Sequence, residues 1–255
     1  MNFKIILNLM FKEIRLFYKD YKLELVSLPE GYIQEFSKNE NSVKILFDQV
    51  NFRILNISEN VEHLSGHSVK DLKNKSIASF LGFTVFNHIT FLHVWLKWGN
   101  DICKKYYSIP SNPTTTFCGV KVKHKDGHIM SLMIRQTGLE FLDNGAIKIT
   151  VITVDDISHL LRSDFYWGRT EFGDDQRIIH HIHSVNKNDI PQDIITDREK
   201  EVLRFIAKGM ESKEIGKELF LSNHTIDNHR RNMIAKTGAR DSTALVQICR
   251  MAGII

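Results

Sequence analysis

The chain has 255 residues, 42% hydrophobic and 25% charged, which suffices for a buried core and excludes a mainly disordered, collagenous or polytopic membrane protein. Its 34 Lys and Arg against 30 Asp and Glu leave a net charge of only +4, too weak alone to point at nucleic acid. Three scattered cysteines, Cys103, Cys118 and Cys249, offer neither a disulfide framework nor zinc spacing, which fits a reducing, cytoplasmic setting.

Residues 1–11 mix apolar side chains with Asn2, Lys4 and Asn8, and Lys12, Glu13 and Arg15 follow directly. A secretory core is longer and cleaner, so residues 1–39 read as a helical extension. No stretch of about 18 uninterrupted apolar residues occurs, so no membrane span is expected.

Residues 43–49 and 51–57 read as strands, 58–66 as a short helix ending at Gly66, and 69–80 as further short helices. Residues 81–107 are apolar and aromatic, with Phe83, Phe86, Phe91, Trp95 and Trp98. After Pro110 and Pro113 come alternating strands at 115–124, 129–138 and 146–154. Lys125-Asp126-Gly127 and Asn144-Gly145 are the hairpin turns between them. The repeated β-α units of a receiver domain are not found.

Two strands, helices and three antiparallel strands, with the Leu64-Ser65-Gly66 block and the closing Val154-Asp155-Asp156-Ile157, resemble a PAS domain over residues 40–160. The resemblance implies a sensor of a ligand, cofactor or partner, often dimeric. Cys103 lacks the sequence context of the flavin-adduct subclass. Haem would need an axial histidine, for which His88 and His93 are available. A lone histidine among aromatics is more often packed, so no cofactor is expected; haem or a small apolar ligand is the alternative.

Residues 165–171 and 176–184 flank the turn signal Phe172-Gly173-Asp174-Asp175 and read as an added β-hairpin. Its second strand carries His180, His181 and His183, with His181 and His183 on one face. A metal there would need a third ligand from elsewhere, so a solvated hairpin is expected and no metal site is assigned. Residues 185–191 are polar, end at Pro191 and read as the joint between domains.

Residues 191–255 hold 11 basic and 9 acidic side chains, and Arg230, Arg231, Lys236 and Arg240 fall together without an acid until Asp241. Thr196-Asp197-Arg198-Glu199 is a capping box before the apolar Val202, Leu203, Phe205 and Ile206, and Gly209 is the stop. A short helix follows from about Ser212 to Phe220, then a turn at Leu221-Ser222. A third helix runs from Asn223 to about Thr237, and a fourth covers residues 243–252. A short helix, a tight turn and a longer basic helix form a helix-turn-helix.

On the third helix, Ile226, Met233, Ile234 and the Arg230 stem form the inward stripe. His224, Asp227, Asn228 and Arg231 form the outward one, where a recognition helix would face the major groove. Arg231 suits guanine and Asn228 adenine. Lys213, Thr225, Arg230, Lys236 and Arg240 are the phosphate candidates.

These motifs, with Leu221-Ser222-Asn223-His224-Thr225-Ile226, His229-Arg230-Arg231-Asn232 and Lys236-Thr237-Gly238, resemble the LuxR-type helix-turn-helix domain across residues 191–255. The resemblance implies a bacterial transcription regulator that binds double-stranded DNA, with a dimerising fourth helix. Leu245, Ile248, Cys249 and Ala252 form one apolar stripe there and are assigned to the dimer; Ala244, Gln247, Met251 and Ile255 form the other.

Three residues depart from the family pattern. Glu211 stands where Ser or Thr is usual, Gly216 where Ala is, and Asp227 often where Lys is. Asp227 either accepts from cytosine or orients Arg231 four residues on.

The expected fold is α+β: a PAS-like antiparallel sheet with helices (40–160), a β-hairpin and linker (161–190), and an all-α four-helix helix-turn-helix domain (191–255). The expected function is a cytoplasmic, sequence-specific, homodimeric regulator, with RNA polymerase as a candidate partner. Protein-interaction modules and autoinducer-type receptors are the alternatives. No P-loop and no catalytic constellation is found, so no enzyme is expected.

Overall fold

A computed structural model of the chain describes residues 42–51, 53–72, 84, 113–143, 145–162, 165–171, 180–182 and 193–255. The N-terminal extension, His88, His93, most of the aromatic stretch, His183 and the 185–191 joint lie outside them.

Seven strands form one antiparallel sheet among the described residues. They are β1 (Val43–Asp48), β2 (Arg53–Ile57), β3 (Thr114–Lys123), β4 (Ile129–Phe141), β5 (Ile147–Asp156), β6 (Trp167–Glu171) and β7 (His180–Ile182). Their spatial order is β2-β1-β5-β4-β3-β6-β7. The short helices α1 (Val61–Ser65) and α2 (Val69–Leu72) follow β2. Then come α3 (Asp197–Ile206), α4 (Ser212–Leu219), α5 (Asn223–Thr237) and α6 (Ser242–Met251). The class is α+β: an antiparallel sheet with short helices, then an all-α unit.

The expected strands appear within a few residues of their predicted bounds. The added hairpin is present too, with Gly168, Arg169 and Thr170 paired to Ile182, His181 and His180.

The sheet is covered on both sides. On one face Val43, Ile45, Phe47, Ile54, Met130 and Leu132 pack with Val61 of α1 and Leu72 of α2. On the other, Cys118, Met133 and Trp167 join Ile157, Leu160 and the helices α3–α6 in a single core. Leu132 and Met133 are adjacent yet belong to opposite cores, as period-two geometry requires. Burial on two faces explains why Thr115–Val120 of β3 are all buried, although alternation was expected there.

β3 bulges between Cys118 and Val120. Gly119 there has φ +81, and a Cβ on it would lie 2.2 Å from the Phe165 carbonyl oxygen. Only glycine lets the returning chain cross so close.

The four-helix unit is stitched to the sheet. Leu161 and Ala239 form a β-bridge, the Arg240 N–H donates to the Leu160 carbonyl at 2.8 Å, and the Arg162 N–H donates to that of Gly238 at 3.0 Å. The Trp167 indole donates to the Thr237 carbonyl at 3.2 Å. Arg169, 3% exposed, donates to the Ala252 carbonyl at 2.8 Å. Its Nε stands 3.6 Å from Asp193, which also meets the Lys200 ammonium at 2.7 Å. A buried charge cluster of this kind holds register between elements more than it adds net stability.

Candidate nucleic-acid interface

Each helix of the C-terminal unit starts from a side chain that satisfies its free backbone donors. Thr196 and Glu199 form the expected capping box, with the Thr196 N–H donating to Glu199 Oε2 at 2.9 Å. At α4 the Glu211 N–H donates to Glu214 at 2.7 Å, so the missing Ser or Thr is offset by the residue three positions on. Ser222 caps α5, accepting from the Thr225 N–H at 3.1 Å. For α6 the cap is Asp241, and it accepts from the Ala244 N–H at 2.8 Å, so the helix opens at Ser242, one residue before the expected start.

α4 ends at Phe220, whose φ of 55° turns the chain left-handed and leaves its ring 95% exposed. Gly216 makes this turn tight: a Cβ there would stand 2.7 Å from the Leu221 carbonyl oxygen. The α4–turn–α5 pair is therefore a helix-turn-helix.

On α5, Ile226 and Met233 are fully buried and Ile234 half-buried, as the expected inward stripe. His224, Asp227 and Arg231 are exposed, and Asn228 is half-buried beside them. Arg231 donates to Asn228 Oδ1, three residues back. Asp227 accepts from the Ser212 hydroxyl at 2.6 Å. The idea that Asp227 orients Arg231 is thus corrected: Asn228 holds Arg231, and Asp227 joins α5 to the start of α4. Exposed Asn232 extends the same face; its position four residues after Asn228 was the overlooked signal.

The phosphate candidates divide. Lys213 and Arg240 are exposed, Arg240 with its Nε 3.3 Å from Asp241. Exposed Lys217, four residues after Lys213, adds a cation on that side of α4. Thr225 is half-buried and shares a hydrogen bond with the Ser222 hydroxyl at 2.8 Å.

Arg230 and Lys236 are corrections. Arg230 donates to the Met210 carbonyl at 2.8 Å and lies 3.4 Å from the Ser242 hydroxyl, so it ties α5 to the α3–α4 loop and to α6. Burial lowers its proton affinity, against the pull of nearby Asp227. Lys236 reaches both Glu199 oxygens at 2.8 and 2.7 Å. Burial raises the Glu199 carboxyl, but the hydrogen bonds from Lys236 and Thr196 outweigh it and hold the group below its usual range. The sequence assigns both to phosphate, Arg230 with its stem inward, but internal acceptors claim their charged ends.

The dimer stripe is a correction as well. Leu245, Ile248 and Cys249 are 0% exposed and Ala252 is 4% exposed, all inside the chain's own core. Burial pushes the Cys249 thiol up to about 12, with Asp193 adding to the rise and Arg169 opposing it. Of the second stripe, Ala244 is buried, Met251 and Ile255 are packed against the core, and Gln247 is exposed. No helix among the described residues is long and apolar enough to cross a membrane.

Comparison with known proteins places this unit. Residues 193–249 match the family model described as bacterial regulatory proteins, luxR family. The spore germination protein GerE of Bacillus subtilis is 39% identical over 59 residues, 23% of this chain and 80% of GerE. The transcriptional regulatory protein LiaR of Bacillus subtilis is 34% identical over 67 residues, 26% of this chain, and the chain spans only 32% of LiaR. A solved Vibrio cholerae VqmA–ligand–DNA complex is 13% identical, covers 89% of this chain and 88% of its own, and has a TM-score of 0.32. With the helix-turn-helix and the N-terminal caps of all four helices inside the matched segment, the chain belongs to the luxR family of bacterial regulatory proteins.

Proposed function

We propose that this protein is a sequence-specific, DNA-binding transcriptional regulator acting in the bacterial cytoplasm. The observation that carries the reading is the outer face of α5: His224, Asp227, Asn228, Arg231 and Asn232 on the second helix of a helix-turn-helix. In the major groove, Arg231 reads guanine and Asn228 adenine, while the Asp227 carboxylate accepts from cytosine. Lys213, Lys217 and Arg240 contact phosphate. The Asn228–Arg231 hydrogen bond pre-orders the guanidinium, which lowers the entropy cost of the contact.

The PAS-like sheet is the sensor, and two copies reach adjacent half-sites about one helical turn apart. A signal at the sheet acts by shifting the population between dimer geometries, which sets whether both helix-turn-helix units reach their half-sites.

The test is a bank of duplexes titrated against salt. A sequence-dependent affinity that Arg231→Ala relaxes at one base position supports the reading. Weak, sequence-blind binding unchanged by that variant sinks it and favours a protein-interaction module.

A further inference from the structure

We propose that the β3–β4 turn is a binding site for a divalent transition-metal ion of the zinc class, held by His124, Asp126 and His128. The hairpin closes through the His124 N–H to the His128 carbonyl at 2.9 Å and the Gly127 N–H to the His124 carbonyl at 2.9 Å. That closure sets the two histidines opposite one another at the strand ends, with ring centroids 4.6 Å apart and nearly parallel. Both Nδ1 atoms converge on one oxygen: His124 Nδ1 is 3.0 Å and His128 Nδ1 2.6 Å from Asp126 Oδ1. One ligand atom from each of the three residues lies within 4.8 Å of the others.

Two imidazole nitrogens and one carboxylate oxygen suit zinc, cobalt or nickel better than calcium or magnesium, which take oxygen. A tetrahedral ion with bonds near 2.0–2.1 Å spaces its ligands roughly 3.3 Å apart. The two histidine–carboxylate spacings open to that value by less than 1 Å, chiefly through the exposed side chains of His128 and Asp126, while His124 stays half-buried.

The turn is braced from behind. The Lys125 N–H donates to the Ser65 carbonyl at 3.1 Å, and the His124 ring packs on Gly66. Its front is open, with His128 56% and Asp126 62% exposed. Both histidines also line a groove of about 570 Å³ between the sheet and α6, where His63, His159, Asp155 and Arg250 stand. The site is therefore open to solvent ions and has further nitrogen and oxygen donors along its groove. The His-x-Asp-x-His pattern is visible in the sequence, but Lys125-Asp126-Gly127 was read there only as a turn.

The experiment uses the full chain after treatment with a chelator. Cobalt(II) is titrated with visible absorption as readout, followed by competition with zinc(II). One bound equivalent is expected, with bands of a nitrogen- and oxygen-ligated ion. His128→Ala and Asp126→Asn, both at exposed positions and both removing a direct ligand, should each weaken binding by at least about tenfold, the lower bound for losing even an outer-shell partner, with circular dichroism unchanged. Lys125→Ala should bind as the parent does. Absence of saturable binding overturns the proposal. So does binding that survives His124→Ala combined with His128→Ala, or that is lost instead on substituting His181 and His183.

Discussion

The outer face of α5 and the inner face of α6 are helix surfaces a few residues apart in sequence, and they meet opposite fates. On α5, His224, Asp227 and Arg231 stay exposed, Arg231 bonded to Asn228 on the same helix and Asp227 to Ser212 at the start of α4. On α6, Leu245, Ile248, Cys249 and Ala252 vanish into a core shared with the sheet. The difference teaches that a helical stripe marks what must be covered without naming the cover. An apolar stripe takes the first partner that removes it from water, here the chain itself. A polar stripe with few internal acceptors stays available.

That contrast can be broken from the inner side first. Trp167→Ala removes a fully buried ring and its hydrogen bond to Thr237, so chemical denaturation should show a loss of about 3–5 kcal/mol. Limited proteolysis should then cut between sheet and helices. An unchanged pattern would mean that the docking does not depend on this residue. Asp193→Ala leaves Arg169 and Lys200 buried without their shared carboxylate, and should cost about 3 kcal/mol.

On the outer side, Arg231→Ala should leave the thermal midpoint in place yet cost about 1–3 kcal/mol of DNA affinity, confined to one base position. A uniform loss across sequences would reassign Arg231 to phosphate.

The basic side chains give a finer contrast. Arg240→Ala should reduce the slope of log affinity against log salt by about 1 with stability unchanged. Lys236→Ala should do the reverse: little change in slope, but a loss of about 1 kcal/mol, because the Glu199 carboxylate stays 5% exposed without its ammonium. If both lowered the slope alike, the internal role of Lys236 would be wrong.

The smallest effect is in pH. Glu199 is held below its ordinary value of 4.5. Its contribution is therefore fully present above that value and is lost as pH falls through the lower folded value. The acid limb of a stability profile should flatten in Lys236→Ala; identical limbs would remove Glu199 from the account.

Much of this was legible in the chain. Thr196 with Glu199 announced the start of α3 and the Leu221-Ser222 turn the start of α5, because capping and turn chemistry are local. Ile226 and Met233 announced the inward side of α5 by spacing alone. The strands and the Lys125-Asp126-Gly127 turn followed from alternation and turn residues. Arg230 and Lys236 were misread because charge does not reveal its acceptor: Met210 lies 20 residues from Arg230, and Glu199 lies 37 residues from Lys236. The dimer stripe was misassigned because it is buried in one core with α3, α5 and the strand residues Cys118 and Trp167, all of them earlier in the chain.

The sequence by itself determined the elements, the helix-turn-helix and the side of α5 that faces outward, since each depends on contacts within a few residues. The tertiary structure alone decided which cations stay exposed, which apolar stripe is already covered, and that one sheet carries a core on each face. Those outcomes depend on long-range partners, and local propensity and charge carry no information about them. The +4 of the whole chain therefore matters less than where it lies: Arg231 and Arg240 remain exposed, while Arg230 and Lys236 are spent on internal acceptors.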